Sequence, residues 1–259
     1  MKGLARPTAL LVAVLLGLAP GAASAVPGSD PEAVALLRRS ASLLRADRSA
    51  TAYRMELIRP DWRRTLRFRA HDDRERDRFR IELLEPRKVA GTVFLKVGPR
   101  LWMDLTRLGR RVAISPAMMQ DAWMGSDFSH QDLLEASALI EGYEHAVLRR
   151  DQTPLGEVVT IRSVPPADGS ALWGSLVQRI RADGIPLVVD YRDAEGNACR
   201  RLSFHDVRDV GGRTLPTRWV MESLNPAGGR TELILESAEL APVLPDSLFE
   251  AAGRDAGAE

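Results

Sequence analysis

The chain has 259 residues, 36 basic against 35 acidic side chains, and a single cysteine, Cys199. The near-cancelling charge argues against nucleic acid as a partner, and one cysteine cannot form an internal disulfide, so the protein must rely on an apolar core. That length accommodates one large domain or two small ones.

Lys2 and Arg6 make a positive start, Thr8 to Ala19 is an almost unbroken apolar run, and Ala23-Ser24-Ala25 supplies the small residues that a signal peptidase reads. Residues 1–25 are therefore expected to be removed, with cleavage between Ala25 and Val26. The run, roughly a dozen residues, is too short to cross about 30 Å of hydrocarbon as a helix. The residue just after the cleavage point is Val26 and not the cysteine a lipoprotein signal needs, so the mature chain is expected to be soluble and not lipid-anchored.

A helix is expected next. Ser29 stands three residues before Glu32 in a capping-box pattern, Pro31 lies in the first turn, and Val34, Leu37, Ala41 and Leu44 recur at helical spacing. From Tyr53 the period becomes two: Tyr53, Met55 and Leu57, then Leu66, Phe68 and Ala70, then Phe79, Ile81 and Leu83 read as three strands. The arginine-dense stretch from Arg63 to Arg80 contains Asp72, Asp73, Glu75 and Asp77, which cancel much of its field, so it reads as a solvated surface.

Val93, Leu95 and Val97 lead through Gly98-Pro99 into Leu101, Met103 and Leu105, a hairpin, and Arg110 to Ile114 adds a short strand. Ser115-Pro116 then breaks the pattern. Ala117 to Ser129 is read as an apolar loop over the sheet, and Ser129 to Leu139 as a short helix. Strands resume at Glu144–Arg150 and Val158–Val164. After Pro165-Pro166 five more follow, Leu176–Ala182, Leu187–Tyr191, Ala198–Phe204, Thr217–Leu224 and Thr231–Leu240, with glycine-bearing turns between them. A run of about eleven to thirteen strands with so little helix between them excludes a parallel α/β sheet, whose crossovers need a dozen or more residues.

The groups an enzyme needs are scarce. There is no G-x-S-x-G elbow, phosphate-cradling glycine loop or H-E-x-x-H, and His71, His130, His145 and His205 are scattered. Asp127, His130 and Asp132 have metal-compatible chemistry, but Asp127 or Ser129 beside a helix start reads better as a cap. Cys199 reads as a small packed thiol. No catalytic residue, metal or cofactor is expected. What stands out is adaptable apolar surface: Trp102, Met118, Met119, Trp123, Met124 and Phe128. Unbranched, polarizable methionine suits a wall that receives flexible acyl chains, although composition alone favours ordinary core.

Two blocks carry a resemblance. One is Gly91-Thr92-Val93-Phe94-Leu95 with Leu101-Trp102-Met103 and Leu108-Gly109-Arg110-Arg111. The other runs from Ser115-Pro116-Ala117-Met118-Met119 through Ala122-Trp123-Met124-Gly125-Ser126-Asp127-Phe128-Ser129 to Asp132-Leu133. With the closing Leu244-Pro245-Asp246-Ser247-Leu248-Phe249, they resemble the periplasmic outer-membrane lipoprotein-sorting proteins of the LolA/LolB-like superfamily.

The resemblance implies a mainly β fold: one curved antiparallel sheet of about eleven strands, a half-open barrel. An N-terminal helix and a central helical and loop lid would cover its concave face. Residues 26–252 would form one lipid-binding domain, followed by a flexible tail, 253–259. The resemblance further implies a non-enzymatic periplasmic carrier of lipid or lipoprotein acyl chains. Its partners would be an inner-membrane transporter and an outer-membrane acceptor; from their apolar clustering, Met118, Met119, Trp123, Met124 and Phe128 are expected to form the lid, and with Trp102 to line the cavity. The alternative is a lipid or lipoprotein sensor that acts through a membrane partner in envelope-stress signalling.

Overall fold

The structure, a computed structural model, describes residues 28–134, 142–166, 172–224 and 228–250. The expected signal segment 1–25, the tail 253–259 and the expected helical residues 135–139 lie outside them.

Helix α1 spans Pro31–Leu44. Its cap is Asp30, not Ser29: the Glu32 amide donates to the Asp30 carboxylate at 2.9 Å, while the Ser29 hydroxyl accepts from the His145 amide at 3.1 Å. A carboxylate beside the helix N-terminus also meets the positive end of the helix dipole, so Asp30 is favoured at this position. Ala33, Val34, Leu36 and Leu37 are buried, and Ala33, Leu36 and Leu37 pack on Val159, Ile161 and Ile180.

Thirteen antiparallel strands form one sheet. The first six are β1 (Arg48–Ile58), β2 (Arg63–Asp73), β3 (Arg78–Glu85), β4 (Thr92–Val97), β5 (Arg100–Leu105) and β6 (Arg110–Ala113). After the short helix α2 (His130–Leu134) come β7 (Glu144–Thr153), β8 (Gly156–Val164), β9 (Ser175–Arg181), β10 (Pro186–Arg192), β11 (Ala198–Val210), β12 (Arg213–Ser223) and β13 (Arg230–Leu240). The count falls at the upper end of the eleven to thirteen strands read from the residues, two more than the resemblance implies, and the short Arg110–Ala113 segment pairs as a strand, from Trp102 with Ala113 to Leu105 with Arg110.

The strand order is β6-β5-β4-β3-β2-β1-β13-β12-β11-β10-β9-β8-β7. The chain thus starts in the middle of the sheet, meanders out to one edge at β6, and re-enters at the opposite edge, β7. It then meanders back until β13 pairs with β1, with Ser49 opposite Leu240 and Ile58 opposite Arg230. The β6–β7 connection must therefore cross one face of the sheet, which is why a lid exists at all.

Curvature follows from one helix touching distant strands. α1 contacts both β7 and β12, five strand positions apart. On a flat sheet they would lie about 24 Å from each other, twice the ~10–12 Å width of a helix. The sheet is bent into an open trough with α1 inside it.

The period-two residues read in β1, β2 and β3 line the inner face, whereas Val93, Leu95 and Val97, read as the alternation of β4, belong to the outer face and Phe94 between them points inward. Met55, Leu57, Leu66, Phe68, Ile81, Leu83 and Phe94 are at most 2% exposed and form the main core with Trp123 and Phe128. On the outer face a smaller cluster joins Val93, Leu95 and Trp102 to Leu244, Leu248 and Phe249 of the closing segment. The Arg78 guanidinium lies 4.3 Å over the Phe249 ring and pairs at 2.8 Å with both Asp73 and Asp246, fastening the end of the described chain to β2 and β3.

Candidate functional site

The lid begins where Ser115-Pro116 ends the first meander. Met124 (φ 52°) and Gly125 (φ 76°) both adopt left-handed backbone, which turns the chain back on itself between Trp123 and Phe128. The Trp123 amide donates to the Phe128 carbonyl at 2.7 Å, and Ala122 bridges Ser129. This tight loop drives two aromatic side chains down into the trough. Trp123 is 1% exposed, with its ring 5.2 Å from Phe68 and 5.4 Å from Phe94, and Phe128 is 2% exposed.

Polar straps hold the lid to the sheet. Asp127 is the main one: its amide donates to the Thr231 hydroxyl at 3.0 Å, that hydroxyl donates to the Asp127 carboxylate at 2.6 Å, and Arg59 pairs with the same carboxylate at 2.9 Å. Arg64 donates to the Met124 carbonyl. Ser129 and Asp132 form a reciprocal cap for α2, with the Ser129 amide 2.7 Å from the Asp132 carboxylate and the Asp132 amide 3.2 Å from the Ser129 hydroxyl. The other Asp132 oxygen takes a 2.8 Å ion pair from Arg200, whose guanidinium lies 4.3 Å over Tyr191 and 5.1 Å over Trp173. The carboxylates that had metal-compatible spacing are thus engaged by arginines and hydroxyls.

A cavity of about 200 Å³ lies between α1, the lid and the second meander. Leu37, Ser40, Ala41 and Leu44 of α1 face it from above. Val189 and Tyr191 of β10, Leu202 and Phe204 of β11 and Trp219 of β12 form its floor, and Phe128, Gln120, Gln131 and Asp132 of the lid close one side. A second recess of about 110 Å³ adjoins it and shares Leu44, Arg45, Asp132 and Trp219. Val189, Leu202 and Trp219 are apolar yet only partly buried, which is the footprint of an unfilled space beside them.

Charged groups in the walls are few. Arg45 grips Asp72 through two nitrogens, at 3.0 and 2.6 Å. Burial pushes the Asp72 carboxyl above the usual carboxylate range, and the Arg45 charge opposes that shift. The Tyr191 hydroxyl is pushed well up, chiefly by burial and then by the nearby Asp132 charge, so it stays neutral. On the third inner wall, the His145 ring lies 2.8 Å from the Ser163 hydroxyl, which also accepts from Gln178 at 3.0 Å.

Of the six apolar residues singled out in the sequence, the structure brings five together. Trp123, Phe128, Met118, Met119 and Met124 all belong to the lid and pack on the main core. Within that group Phe128 lines the cavity, Trp123 is a core plug, and the three methionines are partly buried at the lid's contact with the core. Trp102 is placed apart, on the outer face, between the guanidinia of Arg100 and Arg111 at 5.3 and 5.4 Å. It pairs with Leu95, which points outward, so Trp102 points outward too. Val189, Tyr191, Leu202, Phe204 and Trp219 were not singled out; their alternation in the second meander was visible, but not which face would be left hollow.

A protein-family model described as "uncharacterized protein" matches residues 75–253. The chain belongs to that family. Among solved structures, it is similar to a DUF1329 family protein from Desulfovibrio piger, with a TM-score of 0.74 and 19% identity, covering 84% of this chain and 95% of that one. It is equally similar to a putative outer membrane lipoprotein-sorting protein domain from Vibrio parahaemolyticus, with TM-score 0.73, 22% identity and coverage of 84% and 96%. A LolA superfamily protein from Nitrosomonas europaea follows, with TM-score 0.70, 17% identity and coverage of 85% and 97%. No curated protein matches the chain. The fold is LolA-like: mainly β, one large open antiparallel sheet with few helices. Among the described residues, no helix is long and apolar enough to cross a membrane.

Proposed function

We propose that this protein is a non-enzymatic periplasmic carrier that holds lipid acyl chains in the trough during transfer towards the outer membrane. The observation that carries the reading is the apolar cavity between α1, the lid and β10–β12, lined mostly by aliphatic and aromatic side chains. Each methylene withdrawn from water contributes roughly 0.8 kcal/mol, so a chain crossing an aqueous gap needs such an enclosure. The names of the similar solved structures, a lipoprotein-sorting domain and a LolA superfamily protein, point the same way. Residues 1–25 act as the export signal in this reading, and Met118, Met119 and Met124 provide the adaptable contacts on which the lid moves.

The test is to fill the cavity without emptying the core. Ala41 faces the cavity from α1. Ala41→Trp is expected to weaken binding of a fluorescent acyl probe at least tenfold while the melting temperature stays close to that of the parent. Unchanged probe affinity in a folded Ala41→Trp variant counts against the cavity as the acyl site.

A further inference from the structure

Two arginines and one carboxylate line the larger cavity, Arg45, Arg74 and Asp132, beside Tyr143, His145 and Tyr191. Two of these three charges are already neutralised by partners close at hand. Arg45 is held by Asp72 through a two-nitrogen fork, and Asp132 by Arg200 at 2.8 Å. Arg74 is different. It sits in the turn after β2, where its amide donates to the Asp47 carbonyl at 2.8 Å, so the residue lies beside the link between α1 and β1. Its side chain is half-buried, and among the described residues it forms no ion pair. It acts on Asp72 through space, but both of the short contacts to that carboxylate come from Arg45. Glu75, its neighbour in the chain, is exposed.

The cavity therefore presents an apolar wall with one uncompensated positive charge. A guanidinium that borders an apolar space and lacks a carboxylate is most stable when an anion completes it, because charge-assisted hydrogen bonds are about twice as strong as neutral ones. Resting on the carrier reading above, we propose that the ligand is an anionic amphiphile. Its carboxylate or phosphate head would sit on Arg74, and its chain would run along Leu44, Val189 and Leu202. The side-chain amides of Gln120 and Gln131, which contact each other in the same wall, add hydrogen-bonding capacity. A fully acylated, uncharged lipoprotein terminus would leave this arginine without a partner.

The test displaces a fluorescent acyl probe from the mature chain with amphiphiles of equal chain length: laurate, dodecyl phosphate and the neutral dodecyl maltoside. Inorganic phosphate is the control for headgroup alone. Both anionic amphiphiles are expected to compete about tenfold better than the neutral one, a difference of about 1.4 kcal/mol, and this preference should shrink at high salt. Arg74→Gln should abolish the preference without changing the affinity for dodecyl maltoside, and Arg74→Lys should keep most of it. Matching melting temperatures will show that the variants are folded. Equal competition by all three amphiphiles in the parent, or a preference that survives Arg74→Gln, overturns the proposal while leaving an acyl carrier intact. If inorganic phosphate competes as well as dodecyl phosphate, the site is one for free phosphate and the proposal falls. Failure of every amphiphile to compete overturns the carrier reading and this proposal with it.

Discussion

Trp123→Ala separates a structural plug from a moving lid. The indole is 1% exposed and makes two ring contacts, with Phe68 at 5.2 Å and Phe94 at 5.4 Å. Truncating a fully buried tryptophan costs about 3–5 kcal/mol through lost burial and the cavity left behind. Aromatic pairs such as these, one edge-on and one tilted, contribute roughly 0.5–1.5 kcal/mol each beyond burial, so the upper half of that range is expected here. For a chain of this size each kcal/mol lowers the melting temperature by about 2–4 °C, giving a drop of roughly 8–20 °C. Urea unfolding followed by far-ultraviolet circular dichroism measures the free energy directly, and the same samples can be tested for acyl-probe binding below the transition. Met119→Ser, at a partly buried position, should cost far less. A Trp123→Ala variant destabilised by less than about 1 kcal/mol would refute the reasoning and mean that the indole spends much of its time outside the core.

Asp127→Ala should cost about 3 kcal/mol in urea unfolding, because it removes the carboxylate that pairs with Arg59 and leaves the buried Thr231 hydroxyl without its acceptor; Asp127→Asn, which keeps a hydrogen bond to Thr231, should cost less. Asp30→Ala should cost about 1 kcal/mol through loss of the α1 cap, and Ser29→Ala should leave that cap intact. Burial, helped by Arg80 and Arg69, lowers the His71 pKa below 6.5, and burial lowers that of His130; a depressed histidine favours the folded state while neutral, so its contribution is complete above pH 6.5 and is lost as the pH falls through its folded value. Melting temperature should accordingly decline from pH 7 to pH 5, and His71→Gln with His130→Gln should flatten the decline; an unchanged slope would rule these two out. Intact-mass analysis of exported protein should give a chain that begins at or next to Val26.

Much of the fold was legible because burial on one face of a strand writes itself as alternation. Leu66, Phe68 and Ala70, or Phe79, Ile81 and Leu83, needed no knowledge of their neighbours to be assigned to one face, and the structure puts each triplet on the inside. The helix was legible from its apolar spacing, but its first turn was not read correctly. Ser29 and Asp30 are both good caps, and the choice between them depends on the His145 amide, 116 residues away, which occupies Ser29. Trp102 was grouped with the lid aromatics by composition and nearness in sequence. Its direction is fixed by pairing with Leu95, and neighbouring positions on a strand point to opposite sides. Met103, the next residue, packs on the inner core while Trp102 does not.

The hollow part of the trough was not legible at all, and the topology explains why. The lid packs on part of the inner face of β1–β4, where Trp123 alone reaches Phe68 of β2 and Phe94 of β4, and leaves the smaller recess beside Tyr53, Ala70 and Ile81. The inner face of β10–β12 carries equally apolar residues, Val189, Leu202 and Trp219, but what stands over it is α1, whose outer turns are already committed to Ile161 and Ile180 of β8 and β9. α1 packs on that wall through Ala33, Leu36 and Leu37, and the Ala41 and Leu44 positions further along it border the cavity. Alternation in a sequence records that a face is apolar, whether protein or ligand covers it. The difference between Phe68, 2% exposed, and the half-buried Leu202 is therefore set by where α1 and the lid come to rest, and that placement depends on the β6–β7 crossover and on straps such as Asp127–Thr231, formed between residues 104 apart.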